Sequence, residues 1–239
     1  MYGDDVFTSH DNAFKGLLKA LEVFQQDPRE FYPYSSRYDD WLRGTGKLSA
    51  QEMRGLKLFN DERKGNCISC HQSQIKEGAF PHFTDFGFVA LGVPRNAAIP
   101  ANNDANWHDL GLCGPLRTDL AGRKEYCGLF RVPPLRNVAL RKVFFHNGQF
   151  HDLKQVVEFY VSRDLQPARW YGKDAKGKPQ PYDDLPAEYR DNINRDPPFD
   201  RKPGEKPAMN AAEIDDLVAF LNTLTDADLA TPATNPAKN

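Results

Sequence analysis

The sequence predicts an all-α domain threaded by long irregular loops, and three observations predict it. Four segments space their apolar residues by three and four, the period of a helix with one buried face. No segment shows the strict alternation of a half-buried strand. Two stretches, 80–134 and 164–209, carry too much proline, glycine and asparagine for either pattern. The second holds eight of the chain's 18 prolines.

Asp11 to Gln26 reads as the first helix, with Phe14, Leu17, Leu18, Leu21 and Phe24 on one stripe and Pro28 and Pro33 beyond its end. The aromatic run Phe31, Tyr32, Tyr34, Tyr38 and Trp41 is expected to be irregular. Residues 1–46 thus read as a helix and connector packed on a main domain at 47–226, with 227–239 a disordered tail.

Ser49 opens the second helix. Glu52 stands three residues on, making a capping box, and Leu48 can staple onto Met53. Met53, Leu56 and Phe59 form its apolar face. Lys64-Gly65-Asn66 then leads into Cys67-Ile68-Ser69-Cys70-His71. Two cysteines separated by two residues and followed by histidine form the attachment pattern of a c-type haem. In the first turn of a helix both thiols reach the vinyl groups of one porphyrin edge, and His71 points at the iron as proximal ligand. A thioredoxin-like redox pair would need a βαβ context. A zinc site would need two more clustered ligands, and Cys113 and Cys127 are distant.

The stretch 80–134 is long for a loop, but a prosthetic group can supply the apolar core it lacks. Phe83, Phe86, Phe88, Val89 and Leu91 are candidate contacts. His82 and His108 are candidate iron ligands or ordinary loop histidines. Asp152 caps the third helix, whose face is Leu153, Val156, Val157, Tyr160 and Val161. A tyrosine within that stripe needs a partner for its hydroxyl. The stretch 164–209 reads as an exposed insertion. Asn210, with Glu213 three residues later, caps the last helix, and Ile214, Leu217, Val218, Leu221 and Leu224 are its buried stripe.

The 239 residues carry 31 basic and 33 acidic side chains, a net charge of −2. This speaks against nucleic acid or an anionic membrane as partner. No apolar run is long enough to span a bilayer. The polar, acidic start is not a secretory signal. Covalent haem attachment takes place outside the cytoplasm, so a processed chain or a piece of a longer one is expected, in the periplasm. In that oxidising setting Cys113 and Cys127 can pair, which would stabilise by roughly 3 kcal/mol. Two buried free thiols are the alternative.

Gly55-Leu56-Lys57-Leu58-Phe59, the Cys67–His71 motif, Phe130 to Leu140 with its Leu135-Arg136-Asn137 element, Phe144-Phe145-His146-Asn147-Gly148, Leu153 to Tyr160 and Leu217 to Leu221 occur in order. Together they resemble the carboxyl-terminal haem domain of the bacterial di-haem cytochrome c peroxidase and MauG family, over roughly 12–162 and 208–225. The resemblance implies a cytochrome c-like fold with one haem c. In that family the amino-terminal haem binds hydrogen peroxide and the carboxyl-terminal haem passes or stores oxidising equivalents. The family's distal ligand falls at Tyr160, methionine in the peroxidases proper and tyrosine in MauG-like proteins. A tyrosine packed beside the haem is the other reading. The resemblance also implies Arg136 at a haem propionate and His146 near the haem in a structural role. It implies calcium between two haems, held by backbone oxygens of Arg141 and Val143 and a ligand from the other domain. The implied partners are a second haem domain, which has no counterpart here, and either a small redox protein (cytochrome c or cupredoxin) or a protein substrate. A stand-alone monohaem electron-transfer cytochrome is the competing reading.

Overall fold

The structure, a computed structural model, describes residues 5–27, 31 and 34–230. Tyr32, Pro28 and Pro33 lie outside that set. The chain divides into two compact units, 1–35 and 36–239.

In the first unit, α1 (His10–Phe24) starts after Ser9, whose hydroxyl accepts from the Asn12 amide at 3.1 Å. That bond satisfies one orphan donor of the first turn. None of the α1 residues is buried.

In the second unit the connector expected to be irregular contains α2 (Arg37–Leu42). Ser36 and Asp39 form a reciprocal capping box, each side chain accepting from the other's amide. Tyr38 on this helix is 2% exposed, and its hydroxyl donates to the Ser73 carbonyl at 2.8 Å. The capping boxes expected at Ser49–Glu52 and Asn210–Glu213 are both formed. They open α3 (Ala50–Asn60) and, later in the chain, α6 (Ala211–Asn222). Between them Asp152 caps α4 (Leu153–Ser162) through the Gln155 amide at 2.7 Å. A short α5 (Pro167–Trp170) follows.

The core lies where α3 and α4 pack on α6. Phe59 and Phe220 meet there at 5.2 Å between ring centres, both fully buried. Burying each such ring contributes roughly 1.5–3 kcal/mol. Close approach depends on Gly55, where a Cβ would fall 2.0 Å from the Asp216 carbonyl oxygen of α6. Arg54 clamps the Asp216 carboxylate at 2.7 and 2.8 Å, and Lys64 meets Glu213 at 2.8 Å.

The fold is mostly helical with a little sheet, which corrects the expectation of no strands. β1 (Phe88–Val89) pairs antiparallel with β2 (Phe130–Arg131). Strands of two residues leave no periodic trace in a sequence. Two further expectations fail. Residues 164–209 are not an exposed insertion: Tyr171, Leu185, Ile193 and Phe199 are each at most 5% exposed. Their apolar side chains are buried singly, without a period. The tail is ordered through α7 (Ala227–Ala230), because Asn137 holds Asp226 through two hydrogen bonds at 2.8 and 2.9 Å. Residues 231–239 lie outside the described set.

Candidate haem site

The haem motif begins after Asn66, which adopts a left-handed conformation at φ 48°. Cys67–Ser69 form a single 3-10 turn, not the first turn of a longer helix. The His71 amide nevertheless reaches the Cys67 carbonyl at 2.7 Å, which closes the motif on itself. Both thiols are free. Burial pushes the Cys67 thiol up to about 12 and also raises Cys70.

The His71 ring is fixed by its Nδ1, 2.6 Å from the Phe83 carbonyl. With Nδ1–H donating there, Nε2 is the nitrogen left for a metal, the usual outer-shell arrangement of a ligating histidine. Phe83 is 1% exposed and sits at φ 56°, a conformation a phenylalanine rarely adopts. The surrounding core holds it, and its carbonyl is thereby aimed at His71. Burial lowers the His71 pKa, favouring the neutral imidazole that binds metal.

His71, Cys67 and Cys70 open into a cavity of about 430 Å³ whose wall is mainly apolar. Tyr160 of α4 lines the same cavity. Its hydroxyl makes no hydrogen bond to protein among the described residues. The neighbouring tyrosines differ: Tyr171 donates to the Gly92 carbonyl at 2.6 Å and Tyr182 to Asp164 at 2.6 Å. Burial holds the Tyr160 phenol far above its usual pKa, with Cys67 and Cys70 adding to the effect and Arg163 opposing it.

His146 also borders the cavity. Its ring stacks on Phe130, centres 3.5 Å apart and planes 6° apart, and its Nε2 lies 3.3 Å from Asp184. Asp184 further accepts from Asn147 at 2.9 Å and Arg95 at 3.3 Å. Arg136 is not at the cavity. Its guanidinium makes two 2.9 Å bonds to the buried Asp39 carboxylate and a 3.0 Å bond to the Pro81 carbonyl. Arg131 and Arg141 border the cavity instead.

Of the loop residues expected to touch a haem, Val89 and Leu91 line the cavity. Phe83 is in the core, and Phe86 and Phe88 are 48% and 44% exposed. The β1 pairing explains the last contrast, since successive strand residues face opposite sides. His82 and His108 do not line the cavity. His108 instead lies 3.1 Å from Arg95 and 3.2 Å from the Asp184 carbonyl. Val143 and Arg141 are at the cavity edge, and the described residues contain no cluster of three His, Cys, Asp or Glu side chains. Cys113 and Cys127 are disulfide-bonded. No helix among the described residues is long and apolar enough to cross a membrane.

Sequence reasoning missed Asp184, Phe199 and Met209 of the cavity wall. All three belong to 164–209, where no period singled them out.

The group implied by the motif fits these residues. Two free thiols, an imidazole with one nitrogen uncommitted and a phenol without a partner share one apolar cavity.

No protein-family model matches the chain. Among curated proteins it is 31% identical to the methylamine utilization protein MauG of Paracoccus denitrificans, over 95% of this chain and 55% of that protein. It is 37% identical to cytochrome c551 peroxidase of Pseudomonas aeruginosa, over 64% and 38%. Among solved structures it is similar to the diheme peroxidase BthA of Burkholderia thailandensis, at 41% identity and a TM-score of 0.84, over 98% of this chain and 56% of that one. A variant of that peroxidase with one tyrosine replaced by methionine matches at a TM-score of 0.83. The chain spans about half the length of these relatives or less.

Proposed function

We propose, for a chain that belongs to the bacterial di-haem cytochrome c peroxidase and MauG family, that it forms the carboxyl-terminal, MauG-like haem domain of a periplasmic oxidoreductase. In this reading it passes or stores oxidising equivalents drawn from hydrogen peroxide. The peroxide-binding haem belongs to a second domain. The electron donor is a small redox protein (a cytochrome c or a cupredoxin), or a protein substrate takes its place. A calcium ion at the Arg141 and Val143 carbonyls would need that second domain's ligand as well.

Cys67 and Cys70 would hold the haem c, His71, its ring oriented by Phe83, would bind the iron through Nε2, and Tyr160 would supply its phenol oxygen as a further ligand. Bound haem supplies reversible one-electron chemistry at iron. A phenolate is a hard, anionic ligand and favours ferric and higher states over ferrous. Arg131 and Arg141 are the candidates to meet the propionates, the role the resemblance had given to Arg136. His146 acts as a wall residue, fixed by Phe130 and Asp184.

The observation that carries the proposal is the Tyr160 hydroxyl, which faces the cavity with no protein partner. Optical and electron paramagnetic resonance spectra of the ferric, haem-loaded chain test it. A tyrosinate-type signal lost in Tyr160→Phe is expected. A low-spin spectrum unchanged by the substitution overturns the ligand assignment.

One observation favours a second reading. The 239-residue sequence holds a single Cys-x-x-Cys-His, as a monohaem electron-transfer cytochrome would, and His71 and Tyr160 would together be available to hold its iron. Peroxide turnover by the chain alone, compared with turnover in the presence of a second haem domain, separates the two. Activity that appears only with the second domain is expected from the first reading.

A further inference from the structure

Behind the cavity wall lies a second tyrosine whose surroundings differ from those of every other buried phenol described. The Tyr182 hydroxyl donates to the Asp164 carboxylate at 2.6 Å. Tyr38 and Tyr171 donate to backbone carbonyls, which cannot take up a proton. Tyr189 also meets a carboxylate, that of Glu188, but it does so at the surface.

Tyr182 is close to the cavity. Gly92 lines the cavity and adopts φ 61°, and a Cβ there would fall 2.6 Å from Tyr182 Cδ1. One layer of backbone therefore separates the ring from the space assigned to the haem. A second route runs through side chains. Tyr160 packs on Phe199 at 5.1 Å between ring centres. The Arg163 guanidinium lies 3.9 Å from the centre of Phe199 and 5.4 Å from that of Tyr182. Arg163 is 1% exposed and makes four hydrogen bonds, to both oxygens of Asp164 at 2.9 and 2.6 Å and to the Leu91 and Asn194 carbonyls at 2.9 Å each. It holds the Asp164 carboxylate as a fixed anion facing the phenol. On its outer side Tyr182 accepts from the exposed Arg195 at 3.2 Å.

We propose that Tyr182 and Asp164 form a second redox site, at which the phenol gives up one electron and its proton together. The idea rests on the cavity holding a haem, and the oxidant in the whole protein is the one-electron oxidant that peroxide generates there. One electron passes from the Tyr182 phenol towards the cavity and reduces that oxidant by one equivalent. The O–H bond breaks and its proton moves to Asp164 Oδ1, within hydrogen-bond reach. The neutral phenoxyl radical is then reduced by one electron from the small redox protein of the proposed function (a reduced cytochrome c or cupredoxin), approaching from the Arg195 side, and the proton returns from Asp164. An oxidised phenol is a far stronger acid than a carboxylic acid, so the transfer is downhill even with Asp164 paired to Arg163. The site gives 164–209 a role as an entry point for electrons from outside.

The test uses the haem-loaded chain with photogenerated ruthenium(III) tris(bipyridine) as oxidant and electron paramagnetic resonance as readout. A long-lived tyrosyl signal is expected, with loss of that signal in Tyr182→Phe. Asp164→Asn is expected to slow its formation and abolish its solvent deuterium isotope effect. Should either variant fail to fold, 3,5-difluorotyrosine placed at position 182 keeps the shape, and the hyperfine pattern changes only if the radical sits there. A signal of unchanged amplitude and lifetime in Tyr182→Phe, or an unchanged pattern with the fluorinated residue, overturns the proposal. The light supplies the oxidant, so the outcome does not depend on peroxide. A Tyr182 signal with light but none with peroxide supports this site and counts against the peroxide reading.

Discussion

Tyr160 and Tyr171 come from different kinds of segment and answer the same physical demand differently. Tyr160 comes from the regular helix α4 and faces the cavity. Tyr171 follows the short α5 in the irregular stretch 164–209. Burial drives both phenols to stay neutral. Tyr171 places its hydroxyl on the Gly92 carbonyl at 2.6 Å, whereas that of Tyr160 meets no protein atom among the described residues. Tyr38, Tyr171 and Tyr182 place their hydroxyls on protein partners, whereas the Tyr160 side chain opens on the cavity, where a bound group can reach it.

The contrast is sharpest where a polar group is paired most completely. Asp39 is fully buried and receives two bonds from Arg136. Arg136→Ala would leave that charge alone and should cost about 3–5 kcal/mol at neutral pH, read by urea or thermal unfolding. If Arg136 served a propionate instead, the variant would keep its haem-free stability and lose haem affinity. The loss should depend on pH. Burial works against ionisation of Asp39, but the bonds from Arg136 and Ser36 outweigh it, so the folded carboxyl titrates below the usual range. The stability this confers is present above the unfolded value near 3.9 and is lost as pH falls through the lower folded value. Wild type and variant should therefore converge in acid. A gap that widens there would break the argument.

Tyr171→Phe is the intermediate case. It removes the donor from a carbonyl inside the wall, at an expected cost of about 1–3 kcal/mol in the haem-free chain. No cost would mean that water reaches Gly92 and that this part of the wall is wetter than the packing indicates.

What was legible in the sequence follows the same division. Ser49, Asp152 and Asn210 announce their helices because a cap and its partner amide lie three residues apart. The haem motif is equally local, with five residues containing both attachment points and one ligand. The Asp39–Arg136 pair joins residues 97 apart, and Asp184 meets His146 across 38. No period or spacing encodes such contacts. Residues 164–209 were misread for that reason: Phe199, Met209 and Leu185 reach the cavity wall one at a time, from turns. The Ser36–Asp39 capping box of α2 is as local as the others, but it sits inside an aromatic run without helical period.

Tyr160→Phe should give the smallest effect on the haem-free chain, and its dependence on haem carries the information. The substitution deletes a hydroxyl that bonds to no protein atom among the described residues and leaves the ring against Phe145 and Phe199 in place. Stability should change by less than about 1 kcal/mol, since the side chain opens on the cavity and no bond to protein is lost. With haem bound the same substitution removes the proposed ligand and should destabilise. Parallel melts of both variants, with and without haem, therefore make a four-way comparison. Tyr171→Phe should lose about the same amount in both states, because its partner is protein. Tyr160→Phe should lose stability only in the haem-bound state. A loss in the haem-free state as large as that of Tyr171→Phe would show that the chain itself holds the Tyr160 oxygen, and the case for a reserved ligand would fall.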